Sequence, residues 1–206
     1  MHRVRAAGLI AALVGSLTSV GQAQPVTYNT LTTQLCFGGF GCGTNQQTIG
    51  GATGINVLFQ PIASSTVNPN PASFGSFGEL IVSCVGGGTA CGMQSLTGLN
   101  LFIVVNQVAP TAGSATLLAG ALSGNVSGTM SSASILWPNP NAVQIGAIRY
   151  AVLNNPLGIV PPSTNGGLTS IQASITNTVI PEPSAFVLLA MGLLGLVVLP
   201  RRRKGA

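Results

Sequence analysis

The sequence predicts an all-β protein: an antiparallel β-sandwich flanked by an N-terminal signal peptide and a short C-terminal transmembrane helix. The body alternates apolar and polar residues, Gly and Pro interrupt it at short intervals, and the charges lie at the two ends. The chain has 206 residues, 28 glycines and 13 prolines, which fits one domain with many turns. We expect a signal peptide at 1–23, a β-rich ectodomain at 24–180 and a membrane-directed tail at 181–206.

The best strand candidate is GLTSIQASITNTVI, at the end of the body. Ile171, Ala173, Ile175 and Val179 share one face there, and the polar residues between them share the other, which is typical of a strand packed on one side. Other candidates bring the total to roughly eight strands, namely TYNTLTTQL after Val26, 54–60, 78–85, 96–108, 114–128, 129–137 and 143–153.

Proline-containing breaks separate these candidates, as expected between strands. They are Pro61, the NPNP run at 68–71, Pro110, the PNP at 138–140 and the NNP at 154–156. No stretch of the body has a sustained helical period, so a sandwich is favoured. A jelly roll and a β-helix are the alternatives, although the body has no strict repeat of the kind a solenoid needs.

The charge distribution excludes a nucleic-acid interface. Six of the seven basic residues are terminal, and the side-chain charges between 24 and 180 reduce to Glu79 and Arg149. The basic isoelectric point of about 9.6 therefore reflects the chain ends. The body has no basic surface with which to neutralise phosphates.

The N-terminus, MHRVRAAGLIAALVGSLTSVGQAQ, predicts export. It has basic residues, an apolar stretch from Ala6 to Val20, and small residues at Gly21 and Ala23. This is the pattern of a secretory signal peptide cut between Ala23 and Gln24. The alternative is an uncleaved anchor, but the apolar stretch falls short of the ~20 residues that span a bilayer.

All four cysteines, Cys36, Cys42, Cys84 and Cys91, lie in the body. An even number in an exported protein favours disulfides. Each of CFGGFGC and CVGGGTAC closes a short Gly-rich loop, so Cys36 with Cys42 and Cys84 with Cys91 are the local pairings, and crossed pairings stay open. A four-cysteine zinc site is the alternative, although the spacings lack the usual C-x₂₋₄-C pattern.

The composition of the body argues against catalysis and metal binding. It has no His, Lys or Asp and a single Glu, so it cannot assemble a Ser-His-Asp triad, a carboxylate pair, a His-based metal site or a carboxylate calcium site. We therefore expect no enzyme, no catalytic residue, no metal and no cofactor. We interpret Glu79, Arg149, Tyr28 and Tyr150 as isolated surface or packing residues, with Glu79 and Arg149 paired if the fold brings them together.

The C-terminus is PEPSAFVLLAMGLLGLVVLPRRRKGA. As a helix, residues 185–199 would be about 22 Å long against a hydrocarbon core of about 30 Å, a marginal span. The basic tail that follows, Arg201, Arg202, Arg203 and Lys204, favours a cytoplasmic C-terminus with the body outside.

The motif Pro181-Glu182-Pro183, the short Gly- and Leu-rich apolar segment and the basic tail together resemble the PEP-CTERM sorting signal of Gram-negative bacteria. The resemblance implies recognition by exosortase, a membrane-embedded Cys protease or transpeptidase, in species that produce exopolysaccharide and form biofilms. The same tail is also known as an ice-binding protein C-terminal domain, a label that implies no ice binding by itself. The alternative is a Pro-rich linker ahead of a plain tail anchor.

Two inner segments, 99–128 and 143–176, resemble uncharacterised ectodomains of PEP-CTERM proteins, a likeness that informs the fold and not the chemistry. We expect an exported structural protein of the cell surface or the exopolysaccharide matrix. Its partners would be signal peptidase, exosortase, the inner membrane before processing and exopolysaccharide. The alternative is a carbohydrate- or ice-binding module. Against that alternative, Thr residues are too few for a ladder, and the six phenylalanines of the body lie near glycines, as expected for packing.

Overall fold

The computed structural model describes residues 24–31, 35–37, 40–43, 45–69 and 72–178, with only the backbone described at 35–37, 40–43 and 116–119. These residues belong to one compact unit, Ala23–Thr178. They form strands and two short 3₁₀-helices, Gly51–Thr53 and Asn165–Gly167, with no α-helix among them. The predicted all-β class is confirmed.

The described part of the chain contains sixteen strands. In chain order they are β1 (Val26–Leu31), β2 (Leu35–Phe37), β3 (Phe40–Gly43), β4 (Gln46–Ile49), β5 (Ile55–Gln60), β6 (Ser65–Val67), β7 (Ala72–Cys84), β8 (Gln94–Ser95), β9 (Leu99–Ala109), β10 (Gly113–Ser123), β11 (Asn125–Val126), β12 (Ser134–Leu136), β13 (Ala142–Ile145), β14 (Ile148–Val152), β15 (Leu157–Gly158) and β16 (Leu168–Asn177).

These strands form two large antiparallel sheets and one small one. Sheet A has the order β15-β12-β10-β9-β1-β6. In addition, β2 pairs with both β9 and β3, so β3 is attached to this sheet through β2. Sheet B has the order β13-β14-β16-β7-β5-β4, and β8 and β11 pair separately. The buried residues of both large sheets form one hydrophobic cluster, an arrangement consistent with a β-sandwich.

The alternation in the sequence identifies which side of a strand is buried. On β16, Ile171, Ala173 and Ile175 are fully buried, as predicted, while the alternate residues Ser170 and Gln172 are exposed and Ser174 is half-buried. Val179, the fourth member of the predicted set, lies outside the described residues. All five proline-containing breaks lie between strands, as predicted.

Two predicted strands are divided by glycines. The segment 143–153 is a hairpin, in which Ile145 pairs with Ile148 and Gly146 has a φ of 58°. A positive φ at the first turn residue is what a two-residue hairpin loop of type II′ needs. The segment 114–128 is divided at Gly124, whose φ is 85°. The period of two continues through Gly124, from Leu122 to Val126, so the pattern did not reveal that turn. At Gly146 the period is broken, because the buried residues Ile145 and Ile148 are three apart, and this break was the signal of the hairpin.

A β-bulge changes which residues of β7 face the core. Ser170 of β16 pairs with Glu79 and Gln172 pairs with Ser76, so two residues of β7, Phe77 and Gly78, lie opposite one residue of β16. Up to the bulge the inward positions are odd-numbered and include Gly75 and Phe77, and after it they are even-numbered, from Leu80 to Cys84. The extra residue therefore reverses the inward and outward positions along the strand.

None of the described residues belongs to a helix that is long and apolar enough to cross a membrane. The predicted transmembrane helix at 185–199 and the predicted signal peptide at 1–23 lie outside the described residues.

Gly78, the glycine of the bulge, should not tolerate a side chain. Its φ is 125°, and a Cβ there would lie 2.5 Å from the Gln60 carbonyl oxygen and 2.8 Å from the Phe59 ring. We expect Gly78→Ala to lower the free energy of unfolding by about 2–4 kcal/mol, through strain and overpacking. Denaturant titration measures this.

Gly86→Ala is the matched control, because nothing lies within 4 Å of its added Cβ and its φ is not positive. It should change stability by less than about 0.5 kcal/mol. Equal losses of stability in the two variants would contradict the requirement for glycine at residue 78.

Candidate functional site

Most residues of the predicted sorting apparatus lie outside the described part of the chain. These are Ala23, Pro181, Glu182, Pro183, Arg201, Arg202, Arg203 and Lys204. Gln24, on the other side of the predicted signal cleavage, is exposed two residues before β1. The candidate site must therefore be sought on the β-domain itself.

One of the two local disulfide predictions is confirmed. Cys84, at the end of β7, is bonded to Cys91, with a Cα–Cα distance of 5.3 Å. Cys36 and Cys42 lie on the adjacent antiparallel strands β2 and β3, and their side chains are not among those described. Because Cys84 is bonded to Cys91, neither of the two crossed disulfide pairings can form.

Glu79 and Arg149 do not pair. Both point outward from sheet B, but their partners on β16 are Ser170 and Thr176 respectively. Six residues of strand span about 20 Å. Instead, the Ser170 hydroxyl lies 3.5 Å from a Glu79 carboxylate oxygen.

The two tyrosines link the two sheets through the core. Tyr28, on β1 of sheet A, donates to the Ser76 carbonyl of sheet B at 2.9 Å, and Tyr150, on β14 of sheet B, donates to Gln107 Oε1 of sheet A at 2.8 Å. Gln107 in turn donates to the Thr111 carbonyl at 2.7 Å. The two rings contact each other edge-on, with centroids 5.6 Å apart. The prediction that they are packing residues is confirmed.

Burial keeps both phenols neutral. Desolvation raises the pKa of Tyr28 above its ordinary value of 10.0, outweighing the hydrogen bonds with Ser65 and Ser76. Desolvation, reinforced by the neighbouring Tyr28, also raises the pKa of Tyr150. The neutral phenol is the form that donates the cross-sheet bonds.

The prediction that the phenylalanines are packing residues is wrong for Phe74. Phe59 and Phe77 are fully buried, as expected, but Phe74 is 74% exposed. Trp137 is buried beside Gly120, where a Cβ would lie 2.8 Å from its ring. Phe74 is thus an aromatic side chain presented to solvent.

The spacing of Phe74 and Phe77 carried a signal for this exposure. Residues three apart on a strand point to opposite faces. Because Phe77 is buried, Phe74 must point away from the core. Proximity to glycine, which suggested packing, was the weaker indicator.

The candidate site is the outer face of sheet B around this ring, which we call the Phe74 face. Its central residues are Phe74, Ala151, Leu153, Gln172 and Ser174. Phe74 pairs with Ser174 on β16, and Ser174 pairs with Ala151 on β14. In the next row Gln172 pairs with Ser76, and the Leu153 amide donates to the Gln172 carbonyl. An aromatic ring therefore lies beside amide and hydroxyl side chains on a paired, three-stranded surface.

Phe74, Gly75, Leu153 and Gln172 line an open cleft of about 470 Å³. The cleft is open to solvent, so a ligand would lie against its surface and would not be enclosed. A second cleft, of about 310 Å³, lies beside Met93, Met130 and Asn125. Both clefts combine apolar with hydrogen-bonding side chains, and the first contains the exposed aromatic ring.

Within the ranges that the structure describes, no group of three or more His, Cys, Asp or Glu residues could hold a metal ion. No family model, no curated protein and no solved structure matches this chain. The support for the candidate site is therefore its geometry.

Tyr28 and Tyr150, the only tyrosines of the chain, should make stability fall at alkaline pH. Their folded pKa values are raised, so their contribution is complete below the unfolded pKa of about 10 and is lost as pH rises above it. We expect a constant free energy of unfolding from pH 7 to 9, then a decrease of up to about 1.4 kcal/mol per pH unit for each tyrosine. Denaturant titrations at a series of pH values measure this.

The double variant Tyr28→Phe/Tyr150→Phe is the comparison. It should be less stable at pH 7, because Gln107 loses its donor, yet its stability should depend much less on pH above 10. An equally steep decrease in the free energy of unfolding of the double variant would contradict the attribution of the alkaline loss of stability to these two tyrosines.

Proposed function

We propose that this chain is an exported structural protein of the cell surface or extracellular matrix, associated with exopolysaccharide. The observation that carries the proposal is the separation of charge: six of seven basic residues are terminal, and the body from 24 to 180 has one acid and one base. The terminal charges fit export and sorting signals. The neutral body, with its 32 Ser and Thr residues, fits many weak hydrogen bonds to a hydroxyl-rich polymer.

We propose that the all-β fold is a β-sandwich. In support, the two large sheets share one core, and two cross-sheet tyrosine bonds join them. The disulfide between Cys84 and Cys91 suits an oxidising, extracytoplasmic setting. A rigid domain of this kind needs no catalytic group.

The delivery route that we propose uses both ends of the chain. Signal peptidase removes 1–23, and residues 185–199 hold the precursor in the inner membrane with a cytoplasmic C-terminus. Exosortase then recognises Pro181-Glu182-Pro183 and processes the tail. The two prolines would keep this stretch extended, which is the conformation that a protease cleft accepts.

A specific carbohydrate-binding module is the second candidate. The exposure of Phe74 favours it, because aromatic rings pack against the apolar face of a sugar while neighbouring polar groups bind its hydroxyls. Ice binding has less support, since the outward residues of β16 include a single threonine, Thr176, beside Ser170, Gln172 and Ser174.

The exported protein should co-sediment with the exopolysaccharide of its producer. Because the body has a single cationic side chain, the fraction bound should fall far less between 50 and 500 mM salt than it does for a protein that neutralises many phosphates. A polysaccharide-free sample is the control. If all of the protein stays in the supernatant at every salt concentration, the structural proposal fails.

Glu182→Ala should block tail processing in a host with a working exosortase, because it removes the single charge of the proposed recognition motif. The expected result is accumulation of the unprocessed form, measured by intact mass of the surface fraction. Glu79→Ala, which removes the acid of the body, is the control and should be processed normally. Normal processing of Glu182→Ala would contradict recognition at this motif.

A further inference from the structure

The Phe74 face also carries the only cationic side chain between residues 24 and 180. Arg149 is exposed on β14, and its partner across the sheet is Thr176, which pairs in turn with Ala72 of β7. Phe74 lies two residues further along β7. At strand spacings the backbones of Arg149 and Phe74 are about 10 Å apart across the sheet and about 7 Å apart along it.

No carboxylate in the described part of the chain compensates this cation. Glu79, the single acid of the body, pairs with Ser170. Thr176 lies six residues beyond Ser170 on β16, or about 20 Å. The end of the face that holds Phe74 and Arg149 is thus positive, while the rest of the outer surface there is formed by neutral side chains.

These groups match one class of ligand. A guanidinium binds a carboxylate through two parallel hydrogen bonds, and an aromatic ring packs on an apolar surface. Ser174 beside the ring and Gln172 in the next row suit hydroxyl groups. One cation is too few for a polyphosphate chain, whose binding depends on neutralising many charges.

We propose that the Phe74 face binds a uronic-acid-containing polysaccharide. One sugar ring packs on Phe74, its hydroxyls contact Gln172 and Ser174, and a carboxylate of the same or the next sugar pairs with Arg149. This inference rests on the proposed association with exopolysaccharide and adds the site and the charge of the sugar that it recognises.

The test uses the mature exported protein and two probes with one backbone, polygalacturonate and its methyl-esterified form. Affinity is measured by calorimetry or biolayer interferometry at 50 and 300 mM salt. The variants are Phe74→Ala, Arg149→Gln and Arg149→Lys. Leu136→Ala is the matched control, because Leu136 is 56% exposed on sheet A, away from the face. Circular dichroism verifies the fold of each variant.

We expect polygalacturonate to bind at least tenfold more tightly than its ester, and more weakly at high salt. Phe74→Ala should weaken binding of both probes at least tenfold, Arg149→Gln should abolish the preference for the acid, and Arg149→Lys should retain part of it. Leu136→Ala should bind like the unmodified protein. Equal binding of the two probes, or unchanged binding in Phe74→Ala and Arg149→Gln, overturns the site.

The two proposals fail differently. If the producer's own polysaccharide still binds Phe74→Ala and Arg149→Gln as well as the unmodified protein, the site is wrong and the matrix association stands. If the unmodified protein binds no polysaccharide, the matrix association fails as well. Concentration-dependent dimerisation that Phe74→Ala abolishes would instead assign the face to self-association.

Discussion

The reciprocal pair of tyrosine hydrogen bonds is the interaction on which the arrangement of the two sheets depends. Apolar packing is non-directional, so by itself it does not fix how one sheet is oriented on the other. Tyr28 reaches from sheet A to the Ser76 carbonyl, and Tyr150 reaches from sheet B to Gln107. Each bond satisfies a polar group that would be costly to bury unpaired. Together they orient two sheets whose other core contacts are apolar.

The cross-sheet tyrosine bonds require small residues beside them. A Cβ at residue 75 would lie 2.4 Å from the Tyr28 hydroxyl, so the cross-sheet bond requires Gly75. Two residues later the bulge at Phe77 and Gly78 lets β7 contribute Phe77 to the aromatic cluster and still place Leu80 and Val82 in the core. The same bulge leaves Phe74 on the outside. The bulge therefore accounts for both the buried position of Phe77 and the exposed position of Phe74.

The sequence predicted the features that depend on local pattern. Alternation identified β16 and its buried face, the prolines marked the ends of strands, and the short Cys84–Cys91 spacing predicted the bond that is present. It did not predict features that depend on long-range pairing, such as the short strands β8 and β15, which have no pattern of their own. It also missed the Phe74 face, because this surface consists of residues from β7, β14 and β16 that only the sheet order brings together.

The position of Arg149 also bears on resistance to proteolysis. Proteases of trypsin specificity cut after Lys or Arg, and between residues 24 and 178 the chain offers them a single bond, Arg149–Tyr150. That bond lies within β14, hydrogen-bonded to strands on both sides, and the Tyr150 side chain is fully buried. A protease cleft needs an extended, accessible segment, which a central strand does not supply without local unfolding. The scarcity of charge thus leaves the folded domain without an accessible site for this class of enzyme.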